Sequence, residues 1–320
     1  MSLALIALVV FAGLFVGWNI GANDSANCIG PSIGAGLIRY RSGILLVAIC
    51  AFAGAILQGE GVVETVGTGI VTEPLSYGAV FVALLTGAFF VAIATFKKIP
   101  VSTSQAVVGA VSGIGLAAGL HVDFSKLVII VQCWVFCPIL SGLLAWFILR
   151  VTRMVLARVQ AQRLAKRVLS ALVLFSGCYS AYFLGANHLG SAIGPIVPLG
   201  IMNITILSIL GAAAISIGAL TFGRGVAETV GKSITRLDLQ SAFAAQISAA
   251  FGIHLFTIFG IPVSTSQAIV GAVMGVGLAH GIRTVSKRKI GEIVVGWVAT
   301  PLISGATAFG IYWIILKVTA

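Results

Sequence analysis

The sequence predicts an all-α polytopic membrane protein: two inverted-topology repeats of about five membrane segments each, with broken or re-entrant helices at the centre. Three observations carry that expectation. The chain has 320 residues, of which 59% are hydrophobic and 8% charged, and its mean hydropathy is +1.14; a soluble domain carries charge on about a quarter of its residues. Apolar stretches of 17 to 23 residues follow one another from residue 3 to residue 316, each long enough to cross ~30 Å of hydrocarbon as a helix. Five blocks of sequence recur in the same order at an offset of 162 to 164 residues. Barrel strands would alternate apolar and polar residues over about ten positions, and these runs do not.

The elements follow in order. Crossings are expected near 3–20, 43–59, 76–96, 99–119 and 127–149, then near 168–187, 203–222, 239–259, 261–281 and 290–316. Residues 3–20 lack the basic start of a signal peptide and run straight into "GWNIGANDSAN", so they read as a first membrane helix. The repeated blocks are "GANDSANCIGP" (21–31) with "GANHLGSAIGP" (185–195), "GVVETVGTGI" (61–70) with "GVAETVGKSI" (225–234), and "IPVSTSQA" at both 99–106 and 261–268. "GAVSGIGLAAG" (109–119) matches "GAVMGVGLAHG" (271–281), and "WVFCPILSG" (134–142) matches "WVATPLISG" (297–305). These divide the chain into repeat A (1–149), a linker (150–167) and repeat B (168–320).

The linker carries six Lys or Arg and no acid, which places it in the cytoplasm by the positive-inside rule. With that end fixed, seventeen of the nineteen basic residues fall in loops on the same side, leaving Lys126 and Lys317 outside. An odd number of crossings per half then inverts repeat B relative to repeat A and puts both termini outside the cell. The same rule accounts for the formal charge of +11 without nucleic acid as a partner. Inverted repeats suit secondary transporters, whose related halves exchange conformations around a central site. The five cysteines, at 28, 50, 133, 137 and 178, have no zinc-type spacing and read as packing residues, and His121, His254 and His280 stand isolated.

In an inverted pair the two octapeptides share a site only if their helices are broken or re-enter. Pro100 and Pro262 favour a helix start at that point. The expected structure is a half-helix whose N-terminus carries Ser102, Thr103, Ser104 and Gln105, matched by a twin carrying Ser264, Thr265, Ser266 and Gln267. Free N–H groups and the positive dipole end would make an anion site there. Gly21, Gly30 and Pro31 read as breakers after the first helix, with Asn23, Asp24 and Asn27 between them; an acid inside a membrane span marks function. Glu64 and Glu228 recur between the halves, and carboxylates beside an anion site make sense if Na⁺ or a proton travels with the anion. The GxxxG pairs Gly109/Gly113, Gly115/Gly119, Gly271/Gly275 and Gly277/Gly281 read as helix-packing positions.

The two GAND-type blocks, each followed by an "ET" block and "PVSTSQA", resemble the PiT family of inorganic phosphate transporters over nearly the whole chain, in its short prokaryotic form. The resemblance implies uptake of inorganic phosphate across the cell's inner (plasma) membrane, coupled to Na⁺ or H⁺, by a homodimer without a bound cofactor. It carries phosphate contacts onto Asp24, Asn27, Ser102, Thr103, Ser104, Gln105, Asn187, Ser191, Ser264, Thr265, Ser266 and Gln267. It carries sodium ligation onto Asn23, Asp24 and Asn187, and coupling or gating onto Glu64 and Glu228. Two departures stand out: the second block has His188 where the family usually has Asp, and Ser191 where it has Asn. Some short members carry sulfate, which has no proton to give a carboxylate, so Asp24 favours phosphate while His188 weakens the preference. An uncoupled anion channel would need no carboxylates. No nucleophile stands with a paired base, so the chain does not read as an enzyme.

Overall fold

The computed structural model describes residues 2–97, 101–224, 238–281 and 287–319, and among them secondary structure is helical apart from one isolated bridge between Val71 and Val122. The helices are α1 (Leu3–Gly34), α2 (Tyr40–Gln58), the short α3 (Glu60–Glu64) with a π-helical turn (Thr65–Gly69), α4 (Tyr77–Phe96), α5 (Thr103–Ala117) and α6 (Phe124–Ala157). There follow α7 (Gln162–Ile193) with a 3-10 segment (Gly194–Leu199), α8 (Ile204–Phe222), α9 (Leu239–Ile258), α10 (Thr265–His280) and α11 (Lys287–Thr319). Polar side chains start them where the sequence changes character. Ser76 accepts from the Ala79 N–H at 3.2 Å, Asp123 from Lys126 at 2.9 Å and Asp238 from Ser241 at 2.8 Å, each satisfying a first-turn donor that has no intrahelical partner.

Eight of these helices are long and apolar enough to cross a membrane, which makes the chain a multi-pass membrane protein. α5 and α10 are not among them. With 15 and 16 residues they extend only ~23 Å at 1.5 Å per residue, short of the bilayer core. Each is the returning arm of a hairpin. The end of α5 comes back beside the start of α4, where Thr72 N–H donates to the His121 carbonyl (3.3 Å) and Asp123 N–H to that of Ile70 (2.9 Å). The end of α10 comes back beside the start of α9, where His280 Nε2 lies 2.9 Å from Ser241 Oγ. The four segments expected as separate crossings at 76–96, 99–119, 239–259 and 261–281 therefore pair into two hairpins, whose short second arms are re-entrant. A hairpin and a pair of crossings leave the chain on the same side, so the rest of the threading is unaffected.

Two other expectations change. α1 does not stop at residue 20: "GANDSANCIGP" lies within one continuous helix that ends at Gly34. Pro31 sits in its last turn, where a missing N–H releases only one carbonyl, and Gly21 serves contact instead of bending. The linker 150–167 is mostly the ends of α6 and α7, with residues 158–161 between them.

Lipid tails are as apolar as the side chains, so close backbone approach has to hold these helices together. At the crossing of α1 and α8, a Cβ on Gly218 would lie 1.9 Å from the Trp18 carbonyl oxygen, and one on Gly21 1.9 Å from that of Ile215. At the crossing of α2 and α7, one on Gly54 would lie 1.8 Å from the Tyr182 oxygen, and one on Gly185 1.8 Å from that of Ala51. The hairpins seat the same way: Gly109 and Gly113 of α5 meet Pro301 and Gly305 of α11, while Gly271 and Gly275 of α10 meet Pro138 and Gly142 of α6. Gly119 and Gly281 differ from the packing role expected of them, since they turn the chain at φ +69° and +117° with nothing within 4 Å of an added Cβ. In α4 and α9, 61% of the most apolar window is buried, against 28% and 17% in α6 and α11. The hairpins' first arms are thus inside, and α6 and α11 face the lipid.

Gly54→Leu will therefore force α2 from α7 and cost about 1–3 kcal/mol or more. It should appear as a lowered thermal unfolding midpoint of the purified protein, with Gly310→Ala, where an added Cβ meets nothing within 4 Å, leaving the midpoint unchanged.

Candidate functional site at the meeting of the two hairpins

The two octapeptides come together. α5 begins at Thr103 with Ser102 as its cap, accepting from the Gln105 N–H at 3.3 Å; α10 begins at Thr265 with Ser264 as its cap, accepting from Gln267 at 3.2 Å. The tips lock reciprocally. Ser104 Oγ lies 3.0 Å from the Val263 carbonyl oxygen of the other hairpin, and Ser266 Oγ 2.9 Å from that of Val101. All of these residues are at most 3% exposed except Val101, at 9%.

α1 and α7 hold each tip through an asparagine. Asn23 Nδ2 donates to Thr95 Oγ1 at 2.8 Å, and its Oδ1 accepts from the Val101 N–H at 3.3 Å. Asn187 Nδ2 donates to Thr257 Oγ1 at 2.9 Å and to the Ile261 carbonyl at 3.2 Å, and its Oδ1 accepts from the Val263 N–H at 3.2 Å. Each asparagine thus ties the end of a hairpin's first arm to the start of its second. Thr95 and Thr257 did not enter the sequence reading, yet each stands five residues before the octapeptide's proline; extending the repeat by one turn would have found them.

Asp24 is completely buried and meets a hydroxyl from each hairpin. Thr103 Oγ1 donates to its Oδ2 at 2.8 Å; Ser266 Oγ lies 3.1 Å from Oδ1, and Asn27 Nδ2 donates to that oxygen at 3.3 Å. Asn27 Nδ2 also reaches Ser266 Oγ at 3.0 Å. The corresponding place in α7 is taken by His188, also completely buried. Its Nδ1 lies 3.3 Å from Ser104 Oγ and its Nε2 3.4 Å from Thr265 Oγ1. Ser191 is buried with its hydroxyl unpartnered, as is Asn27 Oδ1. An ionised carboxylate removed from water is expensive unless several donors face it, and here the donors come from chain segments some 80 and 240 residues away.

Not every expected site residue joins this cluster. The side chains of Gln105 and Gln267 line a cavity of ≈ 860 Å³ together with Trp134, Pro138, Trp297 and Pro301; α5 and α10 turn them there one position after the serines that face the tips. Ser102 and Ser264 act as caps. Glu64 is exposed at the end of α3. The segment around it packs on the second hairpin's turn, where a Cβ on Gly260 would lie 2.7 Å from the Gly61 oxygen and 3.2 Å from Thr65 Oγ1. Glu228 and Pro100 lie outside the described residues.

Asn187→Ala removes three of these bonds and Thr257→Val one of the same three, so each variant should cost about 1–3 kcal/mol per orphaned buried group. Thermal unfolding of the two single variants and the double variant should give a double-variant loss smaller than the sum of the singles.

A family model described as the phosphate transporter family matches residues 20–308. A candidate phosphate permease of Pyrococcus abyssi is 30% identical, the alignment covering 96% of this chain and 98% of that protein. A sulfate permease of Bacillus subtilis, CysP, is also 30% identical, covering 98% of this chain and 88% of that one. Among solved structures, one titled "The sodium-dependent phosphate transporter" superposes with a TM-score of 0.89 at 25% identity, over 98% of this chain and 100% of its own. The pair of re-entrant hairpins meeting at a buried carboxylate thus belongs to a transporter and not to an enzyme: this chain is a member of the phosphate transporter family.

Proposed function

We propose that the chain is a secondary symporter that imports inorganic phosphate together with Na⁺, the anion being held between two inverted halves and released by alternating access. The observation that carries this reading is the convergence of two helix N-termini, Ser102–Gln105 and Ser264–Gln267, on one buried carboxylate, Asp24. Helix N-termini supply N–H donors and positive dipole ends suited to an anion. The hydroxyls of Thr103, Ser104, Thr265 and Ser266 exchange their present partners for the anion's oxygens. A carboxylate amid those donors serves two purposes: it accepts a hydrogen bond from the P–OH that phosphate keeps at neutral pH, and it offers an oxygen to Na⁺, a hard cation that prefers oxygen ligands.

The inverted arrangement is supported by the paired bonds. Asn23 to Thr95 and Val101 has its counterpart in Asn187 to Thr257 and Val263, and the hairpins open in opposite senses if the basic linker lies in the cytoplasm. In this reading Asn23 and Asn187 position the tips and offer their carbonyl oxygens to Na⁺ beside Asp24. Asn27 and Ser191 stand next to the anion, and Gln105 and Gln267 act from the cavity behind it. Because Asp24, His188 and the tip hydroxyls are at most 1% exposed, the site is closed to both sides, and opening means moving a hairpin. Glu64, one turn from the Gly260 contact, is placed to gate the second hairpin, and Glu228 holds the matching position in sequence. The native protein is a dimer in the plasma membrane, with residues 150–167 in the cytoplasm and both termini outside.

A second reading, sulfate import, draws support from His188 in place of a second acid and from the similarity to the Bacillus subtilis permease. Radiolabelled uptake into proteoliposomes tests the main one. Phosphate should accumulate when an inward Na⁺ gradient is imposed and Asp24→Asn should lower the rate by about 100-fold or more, the scale of a lost buried charged partner. Uptake indifferent to both Na⁺ and pH gradients would overturn symport, and undiminished transport by Asp24→Asn would remove Asp24 from the site.

A further inference from the structure

The two halves of the site use the same hydroxyls around different central side chains. In the first, Asp24 accepts from Thr103, and Ser266 Oγ meets three groups: Asp24 Oδ1 at 3.1 Å, the Asn27 amide that donates to it, and the Val101 carbonyl. In the second, the Thr265 hydroxyl faces His188 Nε2, and His188 Nδ1 faces Ser104, whose hydroxyl faces the Val263 carbonyl. Ser104 has one proton. If it goes to the Val263 carbonyl, then Nδ1 must carry the ring proton and donate to Ser104, leaving Nε2 to accept from Thr265. One imidazole then repeats the acceptor role of the Asp24 carboxylate and the donor role of the Asn27 amide together. The sizes agree. His is larger than the Asp it matches and Ser191 smaller than the Asn it matches, and the Ser191 hydroxyl is left buried without a partner, because the ring already meets Ser104.

What the imidazole does not repeat is the negative charge. Among the described residues facing the tips from α1, α4, α5, α7, α9 and α10, Asp24 is the one acid. A pair of carboxylates would repel an anion with no proton to donate, while accepting a hydrogen bond from one that has a proton. A single carboxylate opposite a ring with an N–H donor relaxes that demand on one side.

We propose that His188 is a specificity-determining residue: by holding the second half-site with a neutral donor and acceptor in place of a carboxylate, it admits fully deprotonated tetrahedral oxyanions of the sulfate type alongside phosphate. The inference rests on the oxyanion-transport reading above. Fewer carboxylates also mean fewer cation ligands, since a ring nitrogen is a poor partner for Na⁺.

The test is Na⁺-driven uptake of labelled sulfate and labelled phosphate by the purified chain in proteoliposomes, for the wild type, His188→Asp and His188→Asn. The wild type should take up both anions, with excess sulfate inhibiting phosphate uptake. His188→Asp should lower the sulfate-to-phosphate ratio by about tenfold or more, the scale of one mismatched buried polar partner, and steepen the Na⁺ dependence. His188→Asn, neutral but without the ring, should keep the ratio within about threefold of wild type. An unchanged ratio in His188→Asp, or an equal shift in both variants, would overturn the proposal, because a merely structural ring would affect both anions alike. If His188→Asp does not fold, the wild type still decides: phosphate uptake that a large excess of sulfate leaves untouched refutes it. Failure of the wild type to move either anion under an Na⁺ gradient or a proton gradient would instead refute the transport reading.

Discussion

A carboxylate with no access to water has to find its hydrogen-bond donors in the protein, and Asp24 finds them on two hairpins that enter from separate parts of the chain. That requirement sets the positions of the surrounding elements. Thr103 and Ser266 can both reach one side chain of α1 only if α5 and α10 start next to each other. With 15 and 16 residues, neither helix is long enough to cross the bilayer core from that meeting point. The asparagine ties, the reciprocal serine–carbonyl bonds and the capping serines all serve to hold two helix N-termini at one place.

The rest of the fold supplies a frame stiff enough for that meeting. In hydrocarbon, side-chain burial gives little net drive, so the close glycine crossings between α1 and α8 and between α2 and α7 bring backbone against backbone. The hairpins are seated on α6 and α11 through glycines facing Pro138 and Pro301. The proline within each outer helix and the glycines that receive it occur in both halves, so a seat built once serves twice.

Much of this could be read from residues alone because bilayers impose simple lengths and the chain repeats itself. The long helices announced themselves as uncharged runs, and the half-helices as a proline followed by hydroxyls. The joining of the two octapeptides followed from their duplication. Three features were not legible. Whether so short an apolar arm crosses or returns depends on what its start touches, here Ser104 against Val263 and Ser266 against Val101 of the other hairpin. Gly21 and Pro31 look like breakers in a list of residues, yet in the folded chain one is a contact surface and the other lies in a last turn where it breaks little. The outward facing of Gln105 and Gln267 depends on the rotation of α5 and α10, which only their seating on α6 and α11 fixes. His188 could be seen as a departure from the pattern, but its taking over the roles of two side chains needed the geometry of Ser104 and Thr265.

The claim beneath all of these points is that one tetrahedral anion sits between the starts of α5 and α10. Arsenate has the shape and protons of phosphate and scatters anomalously, so an anomalous difference map from crystals of the protein grown with arsenate locates the anion directly. The account predicts a peak within hydrogen-bonding distance of hydroxyls from both tips, Thr103 or Ser104 on one side and Thr265 or Ser266 on the other. A peak touching only one hairpin, or lying elsewhere in the protein with none at the tips, would contradict it.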